Sequence, residues 1–120
     1  MKNVLIIEDD PQTQEIYADK LKIEGFGVFV VALGDEGLAI AREKRPDLIV
    51  LDIMLPGKLN GFDVLEDLKK DKDLKKIPVL VLTNLGTEEK VAKEIGAVEY
   101  IIKANTSLEE VVDKIKSILK

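Results

Sequence analysis

A chain of 120 residues makes one domain, and 46% hydrophobic with 34% charged residues is the make-up of an ordinary globular protein. A net charge of -5 and a pI near 4.8 argue against broad binding to a nucleic-acid backbone. Cysteine and histidine are both absent, which excludes disulfide scaffolds, thiolate chemistry, histidine-based triads and the commonest metal ligand.

The chain starts basic and then apolar, but Glu8 interrupts the run too early for a signal-peptide core. No apolar run approaches the roughly 20 residues of a bilayer span, so no membrane is expected and the cytoplasm is the expected location. Residues 4–7 predict the first strand. Asp10 before Pro11 is a helix start signal, and that helix is expected to run to Glu24 and stop at Gly25. Residues 28–32 predict the second strand. Residues 35–45 predict the second helix, with Leu38, Ala39 and Ala41 inward and Pro46 as its stop.

Residues 48–51 are four apolar side chains in a row between Pro46-Asp47 and Pro56-Gly57. They read as a short strand buried on both faces, the mark of a central strand in a parallel sheet. Asp52 follows at its carboxyl end, where open α/β sheets bind their ligands. Taken alone, Asp52 is equally well an aspartate that ends a strand and bonds a turn.

Residues 56–61 form a turn-rich loop, followed by a helix in which Phe62, Leu65 and Leu68 or Lys69 keep helical spacing. The lysine-rich run at 69–76 is interleaved with aspartate and reads as a solvated helix end and loop. Residues 79–82 predict the fourth strand, 87–95 a short polar helix closed by Gly96, and 99–102 the fifth strand. Ser107 and Glu110 make a capping box for the last helix, whose apolar stripe is Leu108, Val111, Val112, Ile115, Ile118 and Leu119. Strict alternation of five strands and five helices forces right-handed crossovers and a parallel sheet between two helical layers.

The strand ends then carry the chemistry. The first strand ends in Glu8-Asp9-Asp10, the third in Asp52, the fourth in Thr83 and the fifth in Lys103. If the strand order is 2-1-3-4-5, Glu8, Asp9 and Asp52 converge where the winding reverses. Two carboxylates about 4 Å apart repel by something like 4 kcal/mol at an effective dielectric near 20, so the cluster needs a raised pKa or a cation. With only hard oxygens available, the cation is Mg2+ or a relative such as Mn2+. An acidic pocket holding such an ion beside a lysine and a threonine hydroxyl suits a phosphoryl group, and an aspartate is an accepted nucleophile for one.

The residues at 4–11, 47–57, 78–83, 96–97 and 100–103, in that order, resemble the receiver domain of two-component response regulators over essentially the whole chain. The resemblance implies a single doubly wound, flavodoxin-like (βα)5 domain over residues 1–120 with its sheet in the order 2-1-3-4-5. It implies Asp52 as phosphoacceptor, taking its phosphoryl group from the phosphohistidine of a histidine kinase or phosphotransfer protein. It further implies that Asp9 binds Mg2+ directly, Glu8 through water and Met54 through its backbone carbonyl, while Lys103 contacts the phosphoryl oxygens. Thr83 would reorient toward the phosphate and Tyr100 turn inward, changing the surface of the fourth helix, fifth strand and fifth helix for an unknown protein target. Such a chain is a signalling switch that assists its own phosphorylation and dephosphorylation rather than a turnover enzyme. It is expected as a monomer or a weak phosphorylation-dependent dimer without direct nucleic-acid contact, as a stand-alone switch or a piece of something longer.

Three departures from the family pattern carry expectations. Ala104 stands where the family usually has proline, which predicts a trans bond and a looser loop after Lys103. The loop at 57–61 is about one residue longer than the common pattern, and the stretch from Thr83 to Tyr100 is about two residues shorter, which predicts a trimmed fourth helix. A phosphorylation-independent binding module on the same fold is the alternative reading. A flavin-binding protein of this architecture fits poorly, because a flavin phosphate wants N–H donors and hydroxyls where Glu8, Asp9 and Asp10 stand.

Overall fold

Five short, mainly apolar strands pair side by side in parallel, and the period-2 alternation of the inner ones supplies two cores at once. A computed structural model describes residues 1–120. Its strands are β1 (Asn3–Ile7), β2 (Gly27–Val31), β3 (Leu48–Leu51), β4 (Val79–Thr83) and β5 (Glu99–Ile102). Its helices are α1 (Pro11–Ile23), α2 (Gly34–Lys44), α3 (Gly61–Lys70), α4 (Glu89–Ile95) and α5 (Leu108–Ile118). The sheet order is β2-β1-β3-β4-β5, the doubly wound α/β order expected from the sequence.

On one face Leu5, Ile7, Ile49, Leu51, Val79, Val81 and Tyr100 pack against α2, α3 and α4. On the other, Val4, Ile6, Leu48, Val50, Leu80, Leu82 and Ile101 pack against α1 and α5. Consecutive strand residues thus serve opposite layers, which is why the central strands read as unbroken apolar runs. The α5 stripe is as expected: Val111, Val112 and Ile115 are buried, and Leu108, Ile118 and Leu119 pack at its margin.

The helix starts follow local chemistry. The Asp10 carboxylate accepts the Thr13 N–H at 2.9 Å, and Ser107 and Glu110 form the expected capping box. Asn60 and Asp63 form a second capping box for α3, which therefore begins at Gly61. Helix α2 stops one residue before the expected end, with Arg45 as a left-handed cap at φ 44° ahead of Pro46.

Two expectations need correction. Helix α4 begins at Glu89, not Thr87: the Thr87 hydroxyl bonds the neighbouring Glu88 carboxylate at 3.4 Å, so no side chain caps the helix. The result is a seven-residue helix that buries only Ala92. Of the lysines in the 69–76 run, expected as solvated, Lys69 alone is half-buried, in line with its helical spacing. Its stem lies against Gly96, and its ammonium donates to the carbonyls of Lys75 (3.1 Å) and Ile77 (3.0 Å), with burial lowering its pKa.

Candidate functional site

Strands β1 and β3 are neighbours in register, with Ile7 beside Leu51, so the residues that follow them emerge together. Backbone bonds fix the exits: the Asp52 N–H donates to the Ile7 carbonyl at 3.1 Å and the Glu8 N–H to the Val31 carbonyl at 3.0 Å. Beyond Asp52, α3 starts hard against the strand end. A Cβ on Gly61 would lie 2.3 Å from the Asp52 carbonyl oxygen and 2.4 Å from Ile53 Cα, so only glycine lets the Gly61 N–H reach the Ile53 carbonyl at 2.8 Å.

Glu8, Asp9 and Asp52 each bring a carboxylate oxygen within 4.8 Å of the other two. Glu8 and Asp52 are buried, while Asp9 stands exposed at the mouth. Lys103, from the other side of the cluster, puts its ammonium against Glu8 and 3.0 Å from Asp52 Oδ2. Asp52 Oδ1 accepts the Met54 N–H at 3.0 Å, and the other Glu8 oxygen accepts the Asp10 N–H at 3.0 Å. Burial pushes the Glu8 carboxyl above its ordinary pKa despite the hydrogen bond from Lys103. Burial also works against the Lys103 charge, but its two carboxylate partners outweigh that and hold its pKa above the ordinary lysine value. Two of the three carboxylates, Glu8 and Asp52, share one ammonium and Asp9 has none, so acidic groups outnumber basic ones beside a depression open to solvent, which Asp10, Thr13, Met54 and Asn84 complete.

Of the residues singled out from the sequence, Glu8, Asp9, Asp52, Met54 and Lys103 line this one depression. Thr83 and Tyr100 do not. Thr83 is fully buried at the end of β4, its hydroxyl accepting the Leu85 N–H at 3.3 Å. Tyr100 is buried too, and its hydroxyl donates to the Leu85 carbonyl. Both therefore meet at the backbone of Leu85, one step from the pocket.

The bond from Lys103 to Ala104 is trans, as expected. Residues Lys103–Asn105 form a single 3-10 turn, and the Ala104 N–H donates to Asn84 Oδ1 at 3.0 Å. Asn84 was missed from the sequence because its partner lies 20 residues away. The available signal was the non-proline residue at 104, which leaves an N–H to be satisfied.

The donor set fits a hard divalent cation. Every ligand atom the cluster offers is a carboxylate oxygen, and the carboxylates lie close enough to share one ion with waters. No helix is long and apolar enough to cross a membrane.

Comparison with known proteins agrees with this geometry. The family model described as "Response regulator receiver domain" matches residues 4–116. The chain is 37% identical over 122 residues to the "DNA-binding dual master transcriptional regulator RpaA" of Synechocystis sp., covering 100% of this chain and 50% of that protein. It is 36% identical over 121 residues to the "Polar-differentiation response regulator DivK" of Brucella anthropi, covering 98% and 96%. The solved structure of the response regulator protein TrrA from Thermotoga maritima, in complex with Mg(2+)-BeF, superposes with a TM-score of 0.88 at 28% identity, covering 98% of this chain and 99% of that one. The chain spans about half the length of the first curated relatives it matches. A match over nearly the whole length, on a sheet wound in the order that gathers these carboxylates, makes this chain a member of the response regulator receiver domain family.

Proposed function

We propose that the chain is a phosphoacceptor switch in which Asp52 takes a phosphoryl group from a phosphohistidine on a histidine kinase or phosphotransfer protein. The observation that carries this reading is Asp52 itself, at the end of β3, touched by Lys103 and crowded by Glu8 and Asp9. An oxygen of Asp52 forms the new bond to phosphorus as the donor's P–N bond breaks, and that bond's electron pair stays on the imidazole nitrogen. Carboxylate nucleophiles do not depend on a histidine base as serine hydroxyls do, which suits a chain without histidine.

Asp9, Glu8 and Asp52, with the Met54 backbone carbonyl, would hold Mg2+, which when bound offsets the charge of carboxylates and phosphoryl oxygens. Lys103 leaves its present carboxylate partners to meet a phosphoryl oxygen, supplying a fixed positive charge where negative charge gathers. Thr83 trades the Leu85 N–H for the same group. Because Tyr100 holds the Leu85 carbonyl, that trade reaches the surface made by α4, β5 and α5, where a protein target reads it. The chain assists its own phosphorylation and hydrolysis without being a turnover enzyme, works in the cytoplasm, and makes no direct contact with nucleic acid itself.

The alternative of a phosphorylation-independent module gains nothing from the site, since Lys103 stands on both buried carboxylates despite Ala104. Incubation with acetyl phosphate and Mg2+, read by intact mass, tests the reading. A phosphoryl increment that needs the metal and disappears in Asp52→Ala is expected. An increment that survives Asp52→Ala, or none in the unmodified chain, overturns it.

A further inference from the structure

The segment after β4 is tied twice to β5 and the turn beyond it. One tie is the Tyr100 hydroxyl on the Leu85 carbonyl. The other is Asn84 Oδ1, which accepts the Ala104 N–H at 3.0 Å. This second tie exists only because residue 104 is not proline, which has no N–H to donate. The turn it holds has little of its own to fix it: its internal backbone bond, from the Thr106 N–H to the Lys103 carbonyl, is long at 3.3 Å. Asn84 also borders the depression that contains Glu8, Asp9, Asp52 and Lys103.

We propose that Asn84 is a positioning residue for Lys103. By accepting the Ala104 N–H, its carboxamide holds the Lys103 turn against the end of β4 and keeps the ammonium over Glu8 and Asp52. Asn84 follows Thr83, the last residue of β4, directly in the chain, so the segment after β4 and the Lys103 turn are strapped together and shift as one. A backbone donor left free by Ala104 thus does work that a rigid ring cannot do in this chain. The effect on phosphoryl transfer rests on the phosphoacceptor reading above; the positioning of Lys103 does not.

The test uses the full chain with Asn84→Ala, Asn84→Asp and Ala104→Pro. Hydrogen exchange at the Ala104 amide should quicken roughly two- to tenfold in Asn84→Ala, the yield of one net hydrogen bond. It should stay slow in Asn84→Asp, which keeps an acceptor oxygen. The Lys103 side-chain NMR signals should move in Asn84→Ala, and acetyl phosphate with Mg2+ should phosphorylate that variant roughly two- to tenfold more slowly. In the Ala104→Pro background, where there is no N–H to hold, Asn84→Ala should slow the reaction no further. Unchanged Ala104 exchange in Asn84→Ala overturns the proposal, as do unmoved Lys103 signals with an unchanged rate, or additive effects in the double variant. If the unmodified chain takes no phosphoryl group, the phosphoacceptor reading falls alone, and the Ala104 and Lys103 signals still decide the positioning claim.

Discussion

Replacing Asp52 by asparagine should make the metal-free protein more stable, although it removes a buried ion pair. Asn keeps the size of the side chain and an oxygen for the Met54 N–H, so charge is the main change. At 4.8 Å, the widest these oxygens stand apart, and an effective dielectric near 20, each carboxylate neighbour repels Asp52 by about 3.5 kcal/mol, and Glu8 and Asp9 together by about 7. Lys103 at 3.0 Å attracts it by about 5.5 kcal/mol on the same scale. The balance leaves Asp52→Asn ahead by about 1.5 kcal/mol in chelator at low ionic strength, or about 5 °C in Tm for a domain of this size. Mg2+ should then reverse the order. At a free concentration about a hundredfold above its dissociation constant, it adds about 2.7 kcal/mol to the unmodified chain, and less to a variant with one carboxylate fewer. Urea and thermal unfolding of both proteins, with and without Mg2+, read all four values. Refutation is an Asp52→Asn protein less stable than the unmodified chain in chelator, or an unmodified chain indifferent to the ion.

Gly61→Ala should lose on the order of 2 kcal/mol, because the new Cβ would meet backbone at 2.3 and 2.4 Å; an unchanged urea midpoint would show that α3 can back away freely. Ser107→Ala breaks the α5 capping box and should lower stability by about 1 kcal/mol, with amide exchange quickening first at Glu110. For Glu8 the pKa is raised in the folded state, so its contribution to stability is complete below the ordinary value of 4.5 and is lost as pH rises through the folded value. Glu8→Gln should therefore gain on the unmodified chain as pH rises above the ordinary carboxylate value of 4.5, and a gain that shrinks as pH rises in paired urea titrations would reverse the sign.

The sheet and its acidic cluster were legible because each rests on short-range patterns. Four apolar residues bounded by Pro46 and Pro56 announce β3, and the residues that end β1 and β3 need only the 2-1-3-4-5 order to meet. The Asp10 and Ser107 caps were equally local, and Asn60 with Asp63 carried the same signal unread. What escaped depends on distant partners or on competition. Thr87 is a good cap by type, yet its hydroxyl is spent on Glu88. Lys69 belongs to a charged run, and only the space left by Gly96 explains why its stem is covered. Asn84 has meaning only beside an N–H that arrives 20 residues later.

The sheet is also a partition. Because neighbouring strand residues serve opposite layers, a cavity cut beneath α3 by trimming Leu65 shares no partner with one cut beneath α5 by trimming Ile115. Losses on the two sides should therefore sum. Each hydrophobic compartment is free to drift under mutation at its own pace, and a lineage can remodel the α1 and α5 flank while the opposite flank keeps its ancestral packing.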